Sequence, residues 1–408
     1  MYRMLRHILP AVRSPYAEKE RMMDRFTGFR PYNIRSLARG AVFLLLSWGL
    51  AGTAVLGAQE EPPADEPAAT AESSAADASG LTVTFHGYLT QAYAQSDGNQ
   101  IFGITEDGVT DYRTAALQIR ADVRENDSFI FQFSHERLGE SPIQEVKDDD
   151  VELDWLFYEH RFGSSAVKVG RIQIPFGIYN EIKDVGVLLP FYRPSHNFYG
   201  EAAYSSETID GIVLSHALTL PGGFGLDADV HFGEWEFIQS DFLGGYTTNE
   251  VDDSLGLELW LDTPWPGFRV GTGAMHYQIA AGEGETEWKQ YHISVAAELE
   301  RFSLHAELKQ ADVQTADVYL GYAHLGVGLT DKLTLNLQDD LFYIKVPGAS
   351  RTRVDEDRAV GLNYAFNPSV VLKLEHHWNE GGFWVEGGVP FGSGIKTRYG
   401  ILSLSTAF

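Results

Sequence analysis

The chain has no cysteine among its 408 residues, which excludes thiol catalysis, thiolate metal sites and disulfides. Positive charge is also scarce. Thirty-one Lys and Arg stand against 57 Asp and Glu, a net −26, which argues against a nucleic-acid partner. Long apolar runs are nearly absent: one uninterrupted stretch exists, from Gly40 to Ala58, so a bundle of membrane-crossing helices is excluded. The hydrophobic fraction of 44% is ordinary. That average does not speak against membrane strands, which carry their apolar surface in alternate residues.

The apolar run follows Arg35 and Arg39 and ends on Leu56-Gly57-Ala58. A charged start, an apolar centre and a small-residue exit predict a secretory signal over residues 1–58. Its N-terminal extension is long, so translation starting at Met1, Met22 or Met23 stays open. The alternative is an uncleaved inner-membrane anchor. Against it, the Ala/Pro/Glu-rich segment 59–80 spans at most roughly 75 Å when fully extended, too short to hold a barrel in a second membrane. That segment cannot bury a core and reads as a disordered acidic lead-in.

From Leu81 to Phe408 the pattern alternates with period two, the signature of strands. Leu255, Leu257, Leu259 and Leu261 oppose Gly256, Glu258, Trp260 and Asp262; Phe302, Leu304, Ala306 and Leu308 oppose Ser303, His305, Glu307 and Lys309. Short turns fall at 126–128, 163–165, 221–223, 264–267, 300–301, 330–331 and 367–368, with longer polar connections between them. Seven such turns imply eight hairpins, hence about sixteen strands of roughly ten to thirteen residues. Phe129, Phe162, Phe224, Phe268, Phe302, Phe366 and Phe408 sit beside these turns or at the C-terminus, where an aromatic girdle belongs. The last strand places Gly400, Leu402, Leu404, Thr406 and Phe408 on one face. The predicted fold is all-β, a transmembrane antiparallel barrel over residues 81–408.

A terminal alternating strand ending in Phe408 resembles the insertion signal of bacterial outer-membrane barrels. With the hairpin count, the chain resembles the sixteen-stranded bacterial porins over essentially all of residues 81–408. Val169-Gly-Arg-Ile-Gln-Ile-Pro-Phe-Gly177 is similar to the strand-to-loop passage of the phosphate-selective-porin-like group. The resemblance implies a water-filled channel, a homotrimer, an outer membrane with lipopolysaccharide around it, and a long third loop folded inward. The longest connection, Pro175 to Ser206, occupies that place. Its run Leu188-Leu189-Pro190-Phe191-Tyr192 is costly to leave in water, which favours the inward position.

The expected constriction gathers Glu181, Lys183, Asp184, Arg193 and Glu201 of the loop with Arg120, Arg124, Lys168 and Arg171 of the wall. For Arg171 strict alternation points at lipid, so a bulge at Gly170 or a place near the interface is required. Parity assigns to the lumen the acids Asp122, Glu136, Glu152, Asp154, Asp227, Asp229, Glu258, Asp262, Glu298, Glu300, Glu307, Asp340 and Glu375. The further bases assigned there are Arg269, Lys309, Lys332 and Lys373. The acidic excess predicts a cation bias, since pore-lining charge sets ion preference. Only Lys183 and Arg193 are basic among the loop's acids, which speaks against phosphate specificity.

No cofactor and no metal site is expected. The adjacent His376 and His377 point to opposite strand faces and cannot chelate one ion. Glu145 to Asp154 and Asp355-Glu356-Asp357 read as solvated acidic faces, with divalent bridging to lipopolysaccharide as a lesser role. The function expected is passive diffusion of small hydrophilic solutes or ions, not catalysis. The rival readings are a barrel-embedded lipid hydrolase and an occluded adhesive barrel.

Overall fold

The computed structural model describes residues 75–76, 80–141, 151–200, 207–240, 246–281, 284–313, 316–386 and 394–408. The predicted signal, most of the lead-in, and Glu201 lie outside these, as do residues 145–150 of the acidic stretch Glu145 to Asp154. A two-residue strand β1 (Ala75–Ala76) pairs with β2 (Thr82–Ser96). Then follow β3 (Val109–Arg124), β4 (Asp127–Leu138), β5 (Glu152–Phe162), β6 (Ser165–Gln173), β7 (Thr208–Leu220), β8 (Phe224–Ser240), β9 (Tyr246–Asp262) and β10 (Phe268–Ala281). The second half runs through β11 (Gly284–Glu298), β12 (Phe302–Asp312), β13 (Asp317–Gly328), β14 (Leu333–Lys345), β15 (Thr352–Asn367), β16 (Val370–Gly381) and β17 (Ile395–Ala407).

Each of β2 to β17 pairs antiparallel with its neighbours in sequence, and β17 returns to β2, so sixteen strands close a ring without an edge. Closure is what lets a sheet lie in hydrocarbon, where no water can satisfy an unpaired N–H or C=O. At the seam the backbone of Phe408 exchanges two hydrogen bonds with Gly87, at 3.0 and 2.9 Å. Its ring lies over the bare Cα of Gly87. All seven expected short turns are present, and strands run from 9 to 17 residues.

Outward residues form the apolar surface the alternation predicts. Leu255, Leu257, Leu304, Leu308, Leu337, Leu402 and Leu404 are all exposed, as are Phe129, Phe162, Phe302, Phe366, Trp265 and Phe408 along the short-turn end. The strands approach closely where Gly170, Gly211 and Gly233 stand in register on β6, β7 and β8. A Cβ on Gly170 or Gly211 collides with the carbonyl of Leu156 or Phe232, and Gly170 has φ 135°. Only glycine lets these backbones approach so closely.

The buried apolar core lies inside the ring. Phe176, Tyr179, Leu189, Phe198 and Tyr199 of the β6–β7 loop pack with Trp235, Met275, Tyr277 and Tyr322 of the wall. Near the long-loop mouth Ile101, Phe102 and Ile104 of the β2–β3 loop pack with Tyr112, Tyr192 and Val385.

Leu308, 66% exposed in the middle of β12, tests which face meets lipid. Leu308→Arg is expected to lose about 2–4 kcal/mol of stability in denaturant unfolding from lipid vesicles. An unchanged midpoint rejects a hydrocarbon-facing outer wall.

Candidate functional site: the loop-bounded lumen

The β6–β7 loop enters the ring, as its apolar run requires. Its first stretch passes Glu307 of β12, which is fully buried. Glu307 accepts hydrogen bonds from Ile178 N at 3.1 Å, from the Tyr322 hydroxyl at 2.7 Å, and from Ser294 and Tyr199. The loop then crosses to β2 and β17, where Gly186 lies against the hydroxyls of Thr90 and Ser405. Farther on, Asn336 and Asn363 both donate to Pro190 O, at 3.3 and 2.9 Å.

Two buried lysines hold the return. Lys373 Nζ donates to Phe191 O at 2.6 Å, and Lys309 Nζ donates to Phe198 O at 2.7 Å. Lys309 also lies over the rings of Phe176 and Phe198, at 5.1 and 4.8 Å. A single-turn helix α1 (His196–Tyr199) begins on Ser195, whose hydroxyl accepts from Phe198 N at 3.1 Å. There Asn197 donates to Asp355 at 3.1 Å and accepts from Trp384 Nε1 at 2.7 Å, and its amide reaches Asp340 at 3.4 Å.

These contacts revise the reading of several charges. Glu307, Lys309, Asp340 and Lys373 face inward as parity predicts, but they fasten the loop rather than line open water. Asp355, Glu356 and Asp357 are not a solvated loop: they lie in β15 and are buried. The register shifts beside Val354, so Asp355 and Asp357 point in while Glu356 points out between Arg353 and Arg358. His377 faces in, bonded to Asp357 at 2.7 Å, and His376 faces out.

The wetter side of the loop runs from Glu181 to Leu188, exposed at its two ends and half-buried between them except for buried Gly186, with the Glu181 side chain 52% exposed. Opposite it stand Lys168, whose Nζ is 4.0 Å from Glu181, and a cluster of carboxylates. Lys183 bridges to Glu207 at 2.8 Å, and Asp154 accepts from Gln132 at 3.0 Å. Burial and the neighbouring Glu207, with Glu136 and Asp154, push the Asp184 carboxyl well above its usual range, opposed by Lys183. Toward the short turns a cavity of about 510 Å³ opens, lined by Arg161, Glu181, His216, Asp227, Asp229 and Arg269.

The other predicted residues are dispersed. Arg120 bonds Asp122 at 2.9 Å and Ser128 at 2.7 Å, near the short turns. Arg124 ends β3 opposite Asp127 and is exposed at the turn. Arg171 faces outward and makes a two-pronged pair with Asp210, at 3.0 and 2.9 Å, beside the long-loop rim. Arg193 stacks among the rings of Phe102, Tyr112 and Tyr192, at 4.9, 5.4 and 5.6 Å. Glu258 is buried on His292 at 2.7 Å, and Glu298 holds His305 at 2.7 Å. Asp227 pairs with Arg269 at 3.7 Å, Asp229 accepts from Ser215 at 2.5 Å, and Glu152 is exposed at the start of β5. Sequence reasoning missed Glu207, Asn197 and the inward turn of the β2–β3 loop. That turn had a signal in Ile101-Phe102 and Ile104, apolar residues within a polar connection.

No family model and no curated protein matches the sequence. Solved structures do match the fold. An anion-selective porin from Comamonas acidovorans superposes with TM-score 0.55 at 14% identity, covering 80% of this chain and 100% of that one. The outer membrane channel DcaP of Acinetobacter baumannii gives 0.54 at 8%, covering 81% and 99%. The trimer form of OmpT, an outer membrane protein of Vibrio cholerae, gives 0.54 at 11%, covering 80% and 99%. At such identities the likeness is one of architecture: this chain has the closed sixteen-stranded barrel of the outer-membrane porins.

Proposed function

We propose that this chain is a bacterial outer-membrane porin through which small hydrophilic solutes and ions diffuse passively, with a preference for cations. The observation that carries the reading is the loop fastened across the lumen, whose wetter edge among the described residues, Glu181 to Leu188, faces Lys168, Glu136, Asp154 and Glu207. Carboxylates outnumber ammonium groups around that edge, so the local potential favours positive ions in transit. The Comamonas neighbour is named as anion-selective; ion sign belongs to side chains, not to the barrel. The Vibrio neighbour's trimer form supports a homotrimer here as well. Within this reading residues 1–58 are the export signal, 59–80 a periplasmic lead-in, and the surrounding lipid includes lipopolysaccharide.

The second reading, a barrel-embedded hydrolase, rests on Ser165, whose hydroxyl lies 2.6 Å from His216 Nδ1 within the same cavity. Planar bilayers separate the two. Stable ohmic conductance that survives Ser165→Ala supports the channel, whereas a sealed barrel that cleaves ester substrates and loses that activity in Ser165→Ala overturns it.

Charge neutralisation at the wet edge gives a sharper test. Glu181→Gln with Asp184→Asn is expected to bring the reversal potential in a salt gradient toward zero. Because the Asp184 carboxyl is held above its usual range, it takes up its proton sooner as pH falls. Wild-type cation preference should therefore decline at a higher pH than ordinary carboxylates imply, and Asp184→Asn should remove that early decline. Reversal potentials identical in wild type and variant at every pH reject the assignment.

The loop's fastening is testable separately. Lys373→Met keeps the bulk of the stem but removes the donor to Phe191 O, a contact worth about 1.5–3 kcal/mol. Noisier single-channel current and faster swelling of proteoliposomes in larger sugars are expected, with the barrel intact by circular dichroism. Quiet traces and an unchanged sugar cut-off in Lys373→Met show that Lys373 does not hold the loop.

A further inference from the structure

On the outer wall beside the seam, strand register sorts the outward side chains into rows. Nearest the rim, Glu380 stands opposite Lys396. The next row is Arg358, Trp378 and Arg398. Below it come Val360, His376, Gly400 and Gln95, and below that Leu362, Leu374, Leu402 and Tyr93. Polarity therefore falls from guanidinium to leucine within two steps toward the middle of the wall.

Gly400 leaves a gap in its row. The result is a notch of about 500 Å³ on the outside of the barrel, floored by the backbone of Tyr399, Gly400 and Ile401. Its walls are Tyr93, Leu374, His376, Trp378, Arg398 and Leu402. Leu374, Leu402 and Trp378 are 56%, 46% and 45% exposed, so the lower part of the notch is apolar and open. At its head Arg398, 63% exposed, pairs among the described residues only with Asp97, itself 71% exposed, at 3.9 Å. An ion pair so long and wet contributes little, and the guanidinium keeps donors for another anion. The carboxylates on the neighbouring strands are already engaged: Asp339 and Glu356 with Arg358, Glu380 with Arg353 and Lys396.

An apolar slot headed by a guanidinium at interface depth matches an amphiphile with an anionic head, and guanidinium with phosphate is a favoured pair. We propose that the notch seats one acyl chain of a phosphorylated glycolipid of the outer leaflet, with its phosphate on Arg398. This rests on an orientation with the long loops outward, which follows from a periplasmic lead-in entering β2 at the short-turn end, and not on transport. A second copy of the chain is the rival occupant. It would have to bring its own free carboxylate to Arg398 and an apolar side chain to the slot.

The test uses the whole barrel, refolded free of lipid, as wild type, Arg398→Gln and Gly400→Leu. A Cβ on Gly400 comes no nearer than 3.3 Å to the Glu375 carbonyl, so the larger residue fills the notch with little disturbance of the strand. Each protein is mixed with bisphosphorylated lipid A or its dephosphorylated form, and bound lipid is counted by native mass spectrometry. Wild type should retain one lipid A. Arg398→Gln, or removal of the phosphates, should weaken retention about tenfold, and Gly400→Leu should abolish it. Equal retention by all three proteins overturns the site. So does unchanged retention in Gly400→Leu while light scattering shows its oligomer falling apart, which assigns the notch to a second copy. Bilayer conductance of the same samples reports on the channel independently: a sealed barrel that keeps its lipid leaves this site standing and removes only the porin reading.

Discussion

Every backbone N–H and C=O along sixteen strands must find its partner within the ring, because the surrounding hydrocarbon offers none. That single requirement sets the strand order, the closure of β17 on β2, and the alternation that turns leucines outward. It also encloses a volume that the chain has to fill or leave wet. Here much of it is filled: aromatic and aliphatic side chains from the third loop and the wall form buried clusters inside the barrel.

Filling the interior from one loop raises a problem of polar groups. A loop in irregular conformation exposes carbonyls and amides that cannot be left bare in a dry interior. The wall answers with long polar side chains: Lys309 and Lys373 reach carbonyls, Glu307 receives an amide and two tyrosine hydroxyls, and Asn336 with Asn363 shares one carbonyl. Burying an ammonium group is costly unless its donors are satisfied. The loop and these lysines therefore depend on each other, and the loop's position is specified rather than merely permitted.

The sequence alone made the barrel legible because its signals are local. Turn residues, period-two leucines, aromatics beside turns and a terminal Phe408 each report on their own neighbourhood. The lumen was only half legible. Parity says which face a charge occupies but not how deep it sits or what covers it, so Lys373 and Glu307 looked the same as Lys168 and Asp154. Irregularities mislead further: the shift beside Val354 sends Asp355 and Asp357 inward from a run that looked like solvated acid. Arg171 is the converse case, since strict alternation placed it outside and its pair with Asp210 accounts for how a charge is tolerated there.

The seam has a kinetic meaning. Thr90 and Ser405 meet across it although they lie 315 positions apart, whereas every other strand meets a neighbour made moments earlier. Loop entropy grows only with the logarithm of length, so the final pairing is affordable at equilibrium but late in time. Until it forms, two ribbon margins stand open, and the last-made segment, tipped by an aromatic ring, is one of them. Maturation of this cylinder is thus governed by how long its first-made margin waits for its last.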